Sequence, residues 1–268
     1  MFFAGIDVGS RTTKAAVLDS TGKIVSSNVI ETGVHGPQAA EQVFVSCLGK
    51  AGIDRRDVLK VVSTGYGKKR VDSASIHITE ITCHARGAFH LFPGTRTVID
   101  IGGQDSKAIL LDGSGCIVDF VMNDRCAAGT GRFLEFMAGV LDMGILRMSA
   151  IPFESAQTRA INSLCTVFAE SEIISLLSEG CPVENIVRGL HASIAERTAA
   201  LIQRIPYVPP VTMTGGVAKN KGVVDALQER LKLSLNIPDE PQIVGAVGAA
   251  WIARSSAAKS PGKSAKRL

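Results

Sequence analysis

The sequence predicts an α/β protein built from two related lobes. Three observations support this prediction: a repeated hairpin segment, short apolar strands that alternate with amphipathic helical segments, and glycines clustered at the strand ends. A chain of 268 residues with 46% hydrophobic and 20% charged residues has enough apolar side chains to build such a core.

The repeat relates residues 5–25 to residues 98–118. The two segments are GIDVGSRTTKAAVLDSTGKIV and VIDIGGQDSKAILLDGSGCIV, and ten of the twenty pairs from Ile6/Ile99 onward are identical. Each copy predicts an apolar strand that ends in Asp-x-Gly, a polar turn, a second strand, a turn at Asp-x-x-Gly and a third strand. Two such copies predict two related sheet units.

Helices are predicted between and after the repeats, where apolar residues recur at helical spacing. They span residues 38–51, 79–92, 131–141, 165–177, 183–205, 221–231 and 242–253. Continuous apolar runs predict short buried strands at 58–63, 97–101 and 211–214. The predicted domains are a first lobe of residues 1–94 to which residues 242–255 return, a second lobe of residues 95–241, and a basic disordered tail at 256–268.

The formal net charge of +4 comes mainly from the C-terminal tail, which contains three lysines, one arginine and no acidic residue. A short Ser/Ala/Lys terminus is typical of a solvated end, so no nucleic-acid partner is predicted. Neither a membrane-spanning apolar run nor a signal peptide is found, which predicts no membrane partner and a cytoplasmic location. The six cysteines are then expected to be reduced or bound to metal.

Each repeat contains a turn suited to phosphate, which needs backbone N–H donors, small residues and a nearby cation. The candidate phosphate-binding residues of the first turn are Gly9, Ser10, Arg11, Thr12, Thr13 and Lys14, and those of the second are Gly102, Gly103 and Gln104. Asp7 and Asp100 are the candidate catalytic carboxylates, expected to hold Mg²⁺ through water. Either Gln104 or Asp105 is expected to orient an attacking water, as phosphoryl transfer requires.

A third glycine-rich segment, TMTGGVAKN at residues 212–220, combines a strand end, a Gly-Gly turn and a helix start. This arrangement suits backbone contact with a nucleoside, and its candidate residues are Gly215, Gly216 and Lys219, with Gln242 ahead of the last helix. Neither GxxxxGK[ST] nor GxGxxG occurs in the chain, which excludes the P-loop and the dinucleotide fingerprint. The residues therefore predict a nucleotide with Mg²⁺, and the family resemblance described next implies that this nucleotide is ATP or ADP.

These three elements resemble those of the actin, sugar kinase and Hsp70 superfamily, in which two ribonuclease-H-like lobes flank a nucleotide cleft. A closer resemblance covers almost the whole chain through GIDVGSRTTKAAV, STGYGKKR, EITCHARGA, VIDIGGQDSK, NDRCAAGTGRF and TGGVAKN. Together these motifs resemble the activator ATPases (component A) of 2-hydroxyacyl-CoA dehydratases, such as the 2-hydroxyglutaryl-CoA dehydratase activator, within the BadF/BadG/BcrA/BcrD ATPase family. The ATPase subunits of benzoyl-CoA reductase belong to the same wider family.

The resemblance implies one [4Fe–4S] cluster held between two subunits, with Cys126 and Cys165 as the metal ligands of each chain. Both cysteines precede predicted helices, and a helix N terminus favours the thiolate form that binds metal. Because such a cluster usually takes four thiolates, two per chain imply a homodimer. The remaining cysteines, Cys47, Cys83, Cys116 and Cys181, are expected to be ordinary thiols.

The predicted function is an ATP-hydrolysing one-electron donor of anaerobic metabolism. The resemblance implies that ferredoxin or flavodoxin reduces the cluster and that a 2-hydroxyacyl-CoA dehydratase component receives the electron. Alternatives are the ATPase of a benzoyl-CoA-type or double-cubane reductase, a small-molecule kinase of the same fold, and a nucleotide-sensing or filament-forming protein without catalysis. Neither the kinase nor the filament hypothesis gives Cys126 a role.

Overall fold

The computed structural model describes residues 1–123, 126–161 and 165–258. These residues form two compact units, residues 1–93 with 242–258 and residues 94–241. Each unit contains one five-stranded mixed sheet. Within the three described ranges, no helix is both long and apolar enough to cross a membrane.

The first unit begins with three antiparallel strands, which form the first copy of the repeat. Its elements before residue 94 are β1 (Phe2–Val8), β2 (Thr12–Asp19), β3 (Ile24–Glu31), α1 (Gly36–Ala51), β4 (Val58–Thr64), β5 (Ile76–His77) and α2 (Glu80–Leu91). The strand order is β3-β2-β1-β4-β5, with β1 antiparallel to β2 and parallel to β4. Strand β1 is central and buried on both faces, which explains its nearly continuous apolar sequence.

The second unit repeats this topology and adds helices. Its elements are β6 (Thr97–Ile101), β7 (Ser106–Leu111), β8 (Ile117–Asn123), α3 (Gly131–Val140), α4 (Ile145–Ala150), α5 (Thr166–Ser178), α6 (Val183–Ile202), β9 (Val211–Thr214), α7 (Lys221–Leu231) and β10 (Leu235–Asn236). The strand order is β10-β9-β6-β7-β8. When β6 is aligned with β1, strand β9 corresponds to β4, so the structural repeat extends beyond the segments that match in sequence.

The last helix, α8 (Val244–Ala258), returns to the first unit and packs on β1 and α2. Side chains alternate across β1, so the two faces of this strand have different partners. Ala4 and Ile6 pack with Phe44 of α1. Phe3 packs with Ala249 of α8 on the other face. Asp7 is on the α8 face, because its parity is that of Phe3.

The predicted helices agree with the observed ones to within a few residues, and the short helix α4 was not predicted. Two helix ends differ from the prediction by three residues or more. Helix α6 ends at Ile202 rather than at 205. Helix α8 continues to Ala258, so residues 256–258 are helical and their assignment to a disordered tail is wrong. The rest of the predicted tail, 259–268, lies outside the described residues.

Candidate functional site

The first candidate phosphate turn joins β1 to β2 and is closed by a hydrogen bond. The Gly9 N–H donates to the Thr12 carbonyl oxygen over 3.1 Å. A methyl group on Gly9 would lie 2.9 Å from this oxygen, so a side chain cannot be added without moving the turn. Ser10 and Arg11 are exposed at the tip, where they can meet a ligand.

The predicted role of Thr13 as a phosphate donor is wrong. Its side chain is fully buried, and its hydroxyl is hydrogen-bonded to the Thr32 hydroxyl over 2.9 Å. Thr32 Oγ1 also donates to the Gly9 carbonyl over 2.8 Å. Side chains alternate across β2, and this alternation directs the Thr13 side chain into the core. Thr13 therefore stabilises the turn indirectly, through its hydrogen bond to Thr32.

Asp7 and Lys14 form the charged pair of this first turn. They are opposite each other in the β1–β2 register, and Asp7 Oδ2 is 3.3 Å from Lys14 Nζ. A methyl group on Gly9 would lie 3.2 Å from the same amino group. The lysine therefore places a cation beside the glycine where a phosphate would approach.

The second turn has the same geometry, with the Gly102 N–H donating to the Asp105 carbonyl over 2.9 Å. The Asp100 carboxylate, at the end of β6, is held by both a lysine and a threonine, whereas the Asp7 carboxylate is held by Lys14. Asp100 Oδ2 lies 3.3 Å from Lys107 Nζ, and Asp100 Oδ1 accepts a 2.8 Å hydrogen bond from the Thr214 hydroxyl. Lys107 is 2% exposed and is also 2.8 Å from Asp105 Oδ1.

The two residues proposed to orient an attacking water differ in their surroundings. The Asp105 carboxylate is engaged by Lys107. The Gln104 side chain is exposed and has no hydrogen-bond partner within the part of the chain that the structure describes. Gln104 is therefore the one whose amide is available to a water or phosphate oxygen.

Gly215 and Gly65 have equivalent positions in the two units, although only Gly215 was predicted from the sequence to contact a ligand. Gly215 follows β9 with φ +87°, and a methyl group on it would lie 2.9 Å from Asp100 Oδ1. Gly65 follows β4 with φ +85°, and a methyl group on it would lie 2.4 Å from Asp7 Oδ1. The shared Thr-Gly dipeptide after an apolar strand was the signal that identifies Gly65.

The nucleoside segment continues from Gly215 into a 3₁₀ turn, Gly216–Lys219. Gly216 is exposed, as backbone contact with a ligand requires. The Lys219 amino group is not free, because it lies 2.7 Å from Glu240 Oε2. Gln242 belongs to the first unit, in the 3₁₀ turn Pro241–Ile243 that precedes α8.

A buried histidine packs beneath this segment. His191 of α6 is fully buried against the start of α7, where a methyl group on Gly222 would lie 2.1 Å from its Nδ1. Neither ring nitrogen has a hydrogen-bond partner among the described residues. Burial lowers the pKa of His191 to about 4. The negative charge of Asp225 acts in the opposite direction and raises this pKa, but its effect is smaller.

We expect the stability of the chain to fall as the pH is lowered from about 6.5 towards 4. In this window the unfolded histidine binds a proton that the folded one excludes, so folding loses up to ~3 kcal/mol. Urea denaturation across this pH range measures the loss. His191→Leu should remove that part of the pH dependence, and an unchanged pH profile in this variant would refute the assignment.

The loop that contains Cys126 is tied to the second phosphate turn. Helix α3 begins at Gly131, and the N–H groups of Gly131 and Arg132 donate to the Gly102 and Gly103 carbonyls, both over 2.9 Å. These first donors of α3 are therefore used by the turn. Cys126 itself is exposed.

The Thr130 hydroxyl reinforces this connection. It is fully buried and lies 3.1 Å from the Gly103 carbonyl and 2.5 Å from the Ala127 carbonyl, so it contacts both the turn and the loop that follows Cys126. Sequence reasoning missed Thr130. The only signal was its place at the predicted helix start, which is usual for a capping residue and does not indicate a distant partner.

Cys165 is the N-cap residue of α5, and its side chain is exposed. Helix α5 buries one face through Ala169, Ile173 and Leu176. Its other face leaves large apolar residues in solvent, namely Val167, Phe168, Ile174 and Leu177. Val167 and Phe168 lie two and three residues after Cys165, and both side chains are 66% exposed. Exposed apolar side chains grouped in this way are typical of a surface that another protein covers.

The other cysteines differ from these two. Cys47 and Cys83 are fully buried, and burial raises the pKa of both thiols, that of Cys83 to about 12. Cys116 is exposed in the β7–β8 turn, and Cys181 is half-buried. Across the described ranges, no three His, Cys, Asp or Glu side chains are grouped as a metal site.

Comparison with known proteins places these features in one family. The family model described as "BadF/BadG/BcrA/BcrD ATPase family" matches residues 4–253. The activator of lactoyl-CoA dehydratase from Anaerotignum propionicum is 46% identical over 261 residues, covering 97% of this chain and all of the relative.

Solved structures agree with this assignment. The activator of the 2-hydroxyisocaproyl-CoA dehydratase from Clostridium difficile, solved with bound ADPNP, is 43% identical with a TM-score of 0.90, covering 99% of this chain and 100% of that one. A ROK family glucokinase from Streptomyces griseus is 15% identical with a TM-score of 0.55, covering 95% and 100% of the two chains. The second likeness shows the fold alone, and it confirms the predicted sugar kinase-like class with two lobes. The chain therefore belongs to the BadF/BadG/BcrA/BcrD ATPase family.

Proposed function

We propose that this chain is the ATP-dependent one-electron donor that activates a 2-hydroxyacyl-CoA dehydratase. It acts as a homodimer that shares one [4Fe–4S] cluster and receives its electrons from ferredoxin or flavodoxin. The observation that carries the proposal is the placement of two exposed thiols in the second unit. One lies on a loop bonded to a phosphate turn, and the other caps a helix with an exposed apolar face.

The nucleotide part of the proposal rests on the repeated turns. Gly9 and Gly102 provide space for phosphate, and Lys14 provides a cation beside the first turn. Asp7 and Asp100 would hold a hydrated Mg²⁺, which would neutralise phosphate charge, and the Gln104 amide would orient the attacking water. The ADPNP bound to the C. difficile activator supports ATP as the ligand.

The two exposed thiols of one chain would supply two of the four thiolates that a [4Fe–4S] cluster usually takes. Cys126 and Cys165 are both exposed, whereas a thiol that serves packing is buried, as Cys47 and Cys83 are. When bound, a [4Fe–4S] cluster supplies a one-electron redox couple. Cys165 would bind it at the N terminus of α5, where the helix dipole stabilises the negative charge of the thiolate.

The second pair of thiolates comes from another copy of the chain. The exposed apolar residues beside Cys165 support this, because covering Val167 and Phe168 removes apolar surface from water at about 25 cal/mol per Å². A second copy would also contribute its own Cys126 and Cys165, which would complete the four ligands. The names of the relatives support a dehydratase as the electron acceptor.

The bonded path from Gly102 and Gly103 to the Cys126 loop is the proposed coupling between nucleotide and thiol. Two backbone hydrogen bonds and the Thr130 hydroxyl join the turn to this loop. A shift of the turn that follows the state of the nucleotide therefore moves the loop as well. The energy available for coupling is the difference in nucleotide binding between the two arrangements.

The decisive experiment is anaerobic reconstitution with iron and sulfide, followed by metal analysis, absorption spectroscopy and sedimentation. We expect a brown dimer with about four irons per two chains. Cys126→Ser and Cys165→Ser should each lose the cluster and its absorption. Cys116→Ser is the matched control, since this thiol is also exposed in the second unit but lies in a hairpin turn.

A monomer without iron that still hydrolyses ATP at full rate would contradict the proposal. If hydrolysis then required a small-molecule acceptor, the kinase alternative would replace it. Equal iron content in the Cys165→Ser and Cys116→Ser variants would remove Cys165 from the ligand set. Activation assays with dehydratases of different acyl-CoA specificity would identify the partner.

A further inference from the structure

A second buried histidine, His84 of α2, lies next to the candidate catalytic carboxylate of the first unit. His84 is 6% exposed. A methyl group on Gly245 would lie 3.0 Å from His84 Nε2 and 3.1 Å from Asp7 Oδ2. The imidazole and the carboxylate thus flank the same glycine in the first turn of α8, within reach of one bridging water.

The two strand-end carboxylates are held differently, although the units share one topology. In the second unit, Asp100 Oδ1 accepts a hydrogen bond from Thr214, its neighbour on the parallel strand. In the first unit, the equivalent neighbour of Asp7 is Thr64, whose buried hydroxyl has no oxygen or nitrogen partner among the described residues. The Thr64 hydroxyl instead faces the Cys83 thiol, a weak polar neighbour.

The first unit therefore lacks the threonine–aspartate bond and has a histidine beside its carboxylate. The glycine at position 245 makes this arrangement possible, because the first carbon of any side chain there would crowd both the imidazole and the carboxylate. Helix α8 adds a further contribution, since its N terminus lies beside Asp7 Oδ2 and stabilises negative charge.

We propose that His84 is a positioning residue for Asp7. Through one bridging water, its ring nitrogen fixes the orientation of the Asp7 carboxylate at the start of α8, whereas the Thr214 hydroxyl bonds Asp100 directly in the other unit. A carboxylate held in this way binds the hydrated Mg²⁺ of the nucleotide more tightly than one that can rotate. The inference rests on the proposed function, in which Asp7 is a Mg²⁺-side carboxylate.

The test is the Mg²⁺ dependence of binding of a non-hydrolysable ATP analogue, measured by calorimetry. In His84→Ala, the Mg²⁺ concentration for half-maximal binding should rise about tenfold or more. Binding of the analogue without Mg²⁺ should not change, which a general loss of structure would not allow. His84→Gln should restore most of the Mg²⁺ response, because the side-chain amide retains a donor.

Two further variants keep the inference falsifiable if His84→Ala folds poorly. Gly245→Ala keeps the histidine but adds a methyl group 3.0 Å from His84 Nε2 and 3.1 Å from Asp7 Oδ2, and it should weaken the Mg²⁺ response in the same way. His90→Ala is the control on the same helix, because His90 stacks on Trp251. It should leave the response unchanged.

The possible failures are distinguishable. Equal Mg²⁺ dependence in wild type, His84→Ala and Gly245→Ala overturns the positioning role alone. An equal loss of binding with and without Mg²⁺ also overturns it, since that result indicates damage to the nucleotide site as a whole. If the unaltered chain shows no Mg²⁺-dependent binding, the proposed function fails together with this inference.

Discussion

Gly248→Ala is expected to destabilise the first unit by ~4 kcal/mol or more, a large part of the stability of a typical domain. A methyl group at this position would lie 1.8 Å from the Cys83 carbonyl oxygen and 2.8 Å from the Gly87 backbone nitrogen. Both contacts are with backbone atoms of α2, so no change of rotamer relieves them. Helix α8 must move away from α2, and the apolar contacts between them are lost.

Trp251 makes this effect easy to measure. It is the only tryptophan of the chain, lies one turn after Gly248 on α8, and stacks on His90 with ring centroids 4.6 Å apart. Its fluorescence during urea denaturation therefore reports on the α2–α8 contact. We expect the midpoint to fall sharply, together with a change in the native-state emission.

The matched control is Gly49→Ala in α1 of the same unit. A methyl group on Gly49 meets no atom within 4 Å, and the residue is in a helix. The same substitution should stabilise the protein here by roughly 0.5–1 kcal/mol, because alanine loses less backbone entropy than glycine. Similar effects at both positions would show that the close approach of α8 to α2 is not the cause.

Asp100→Ala is expected to cost ~3–5 kcal/mol in the second unit, because it removes one partner of a buried ion pair. Lys107 is 2% exposed and would lose Asp100 but keep Asp105, whose side chain is 26% exposed. The buried Thr214 hydroxyl would lose its acceptor as well. Denaturation followed by circular dichroism measures the loss of free energy.

The double variant Asp100→Ala/Lys107→Met tests the cause of this loss. It leaves no uncompensated buried cation, so it should be more stable than Asp100→Ala alone. Glu196→Ala is the control for an exposed pair with Arg230 and should change stability by less than ~1 kcal/mol. A double variant as unstable as the single one would show that Lys107 is not the source of the penalty.

Local sequence was enough to predict the two hairpins of the repeat. In a two-stranded antiparallel hairpin, the position of the turn sets the register, so the residues on either side of it become opposite neighbours. The observed register accordingly sets Asp7 opposite Lys14 and Asp100 opposite Lys107, although neither pair was predicted from the sequence. The helices at 131–141 and 221–231 were also predictable, because their apolar spacing is a property of the segment itself.

Partners that are distant in the chain were not predictable in this way. The burial of Thr13 against Thr32, and the bonds from α3 to Gly102 and Gly103, depend on how separate elements pack. The approach of α8 to Asp7 brings together residues from the two ends of the chain. Hydrophobic periodicity and turn chemistry describe short segments, whereas these contacts arise only when segments meet. The repeat, the glycine turns and the two cysteine motifs were thus present in the amino-acid order, and packing alone decided which side chains support them.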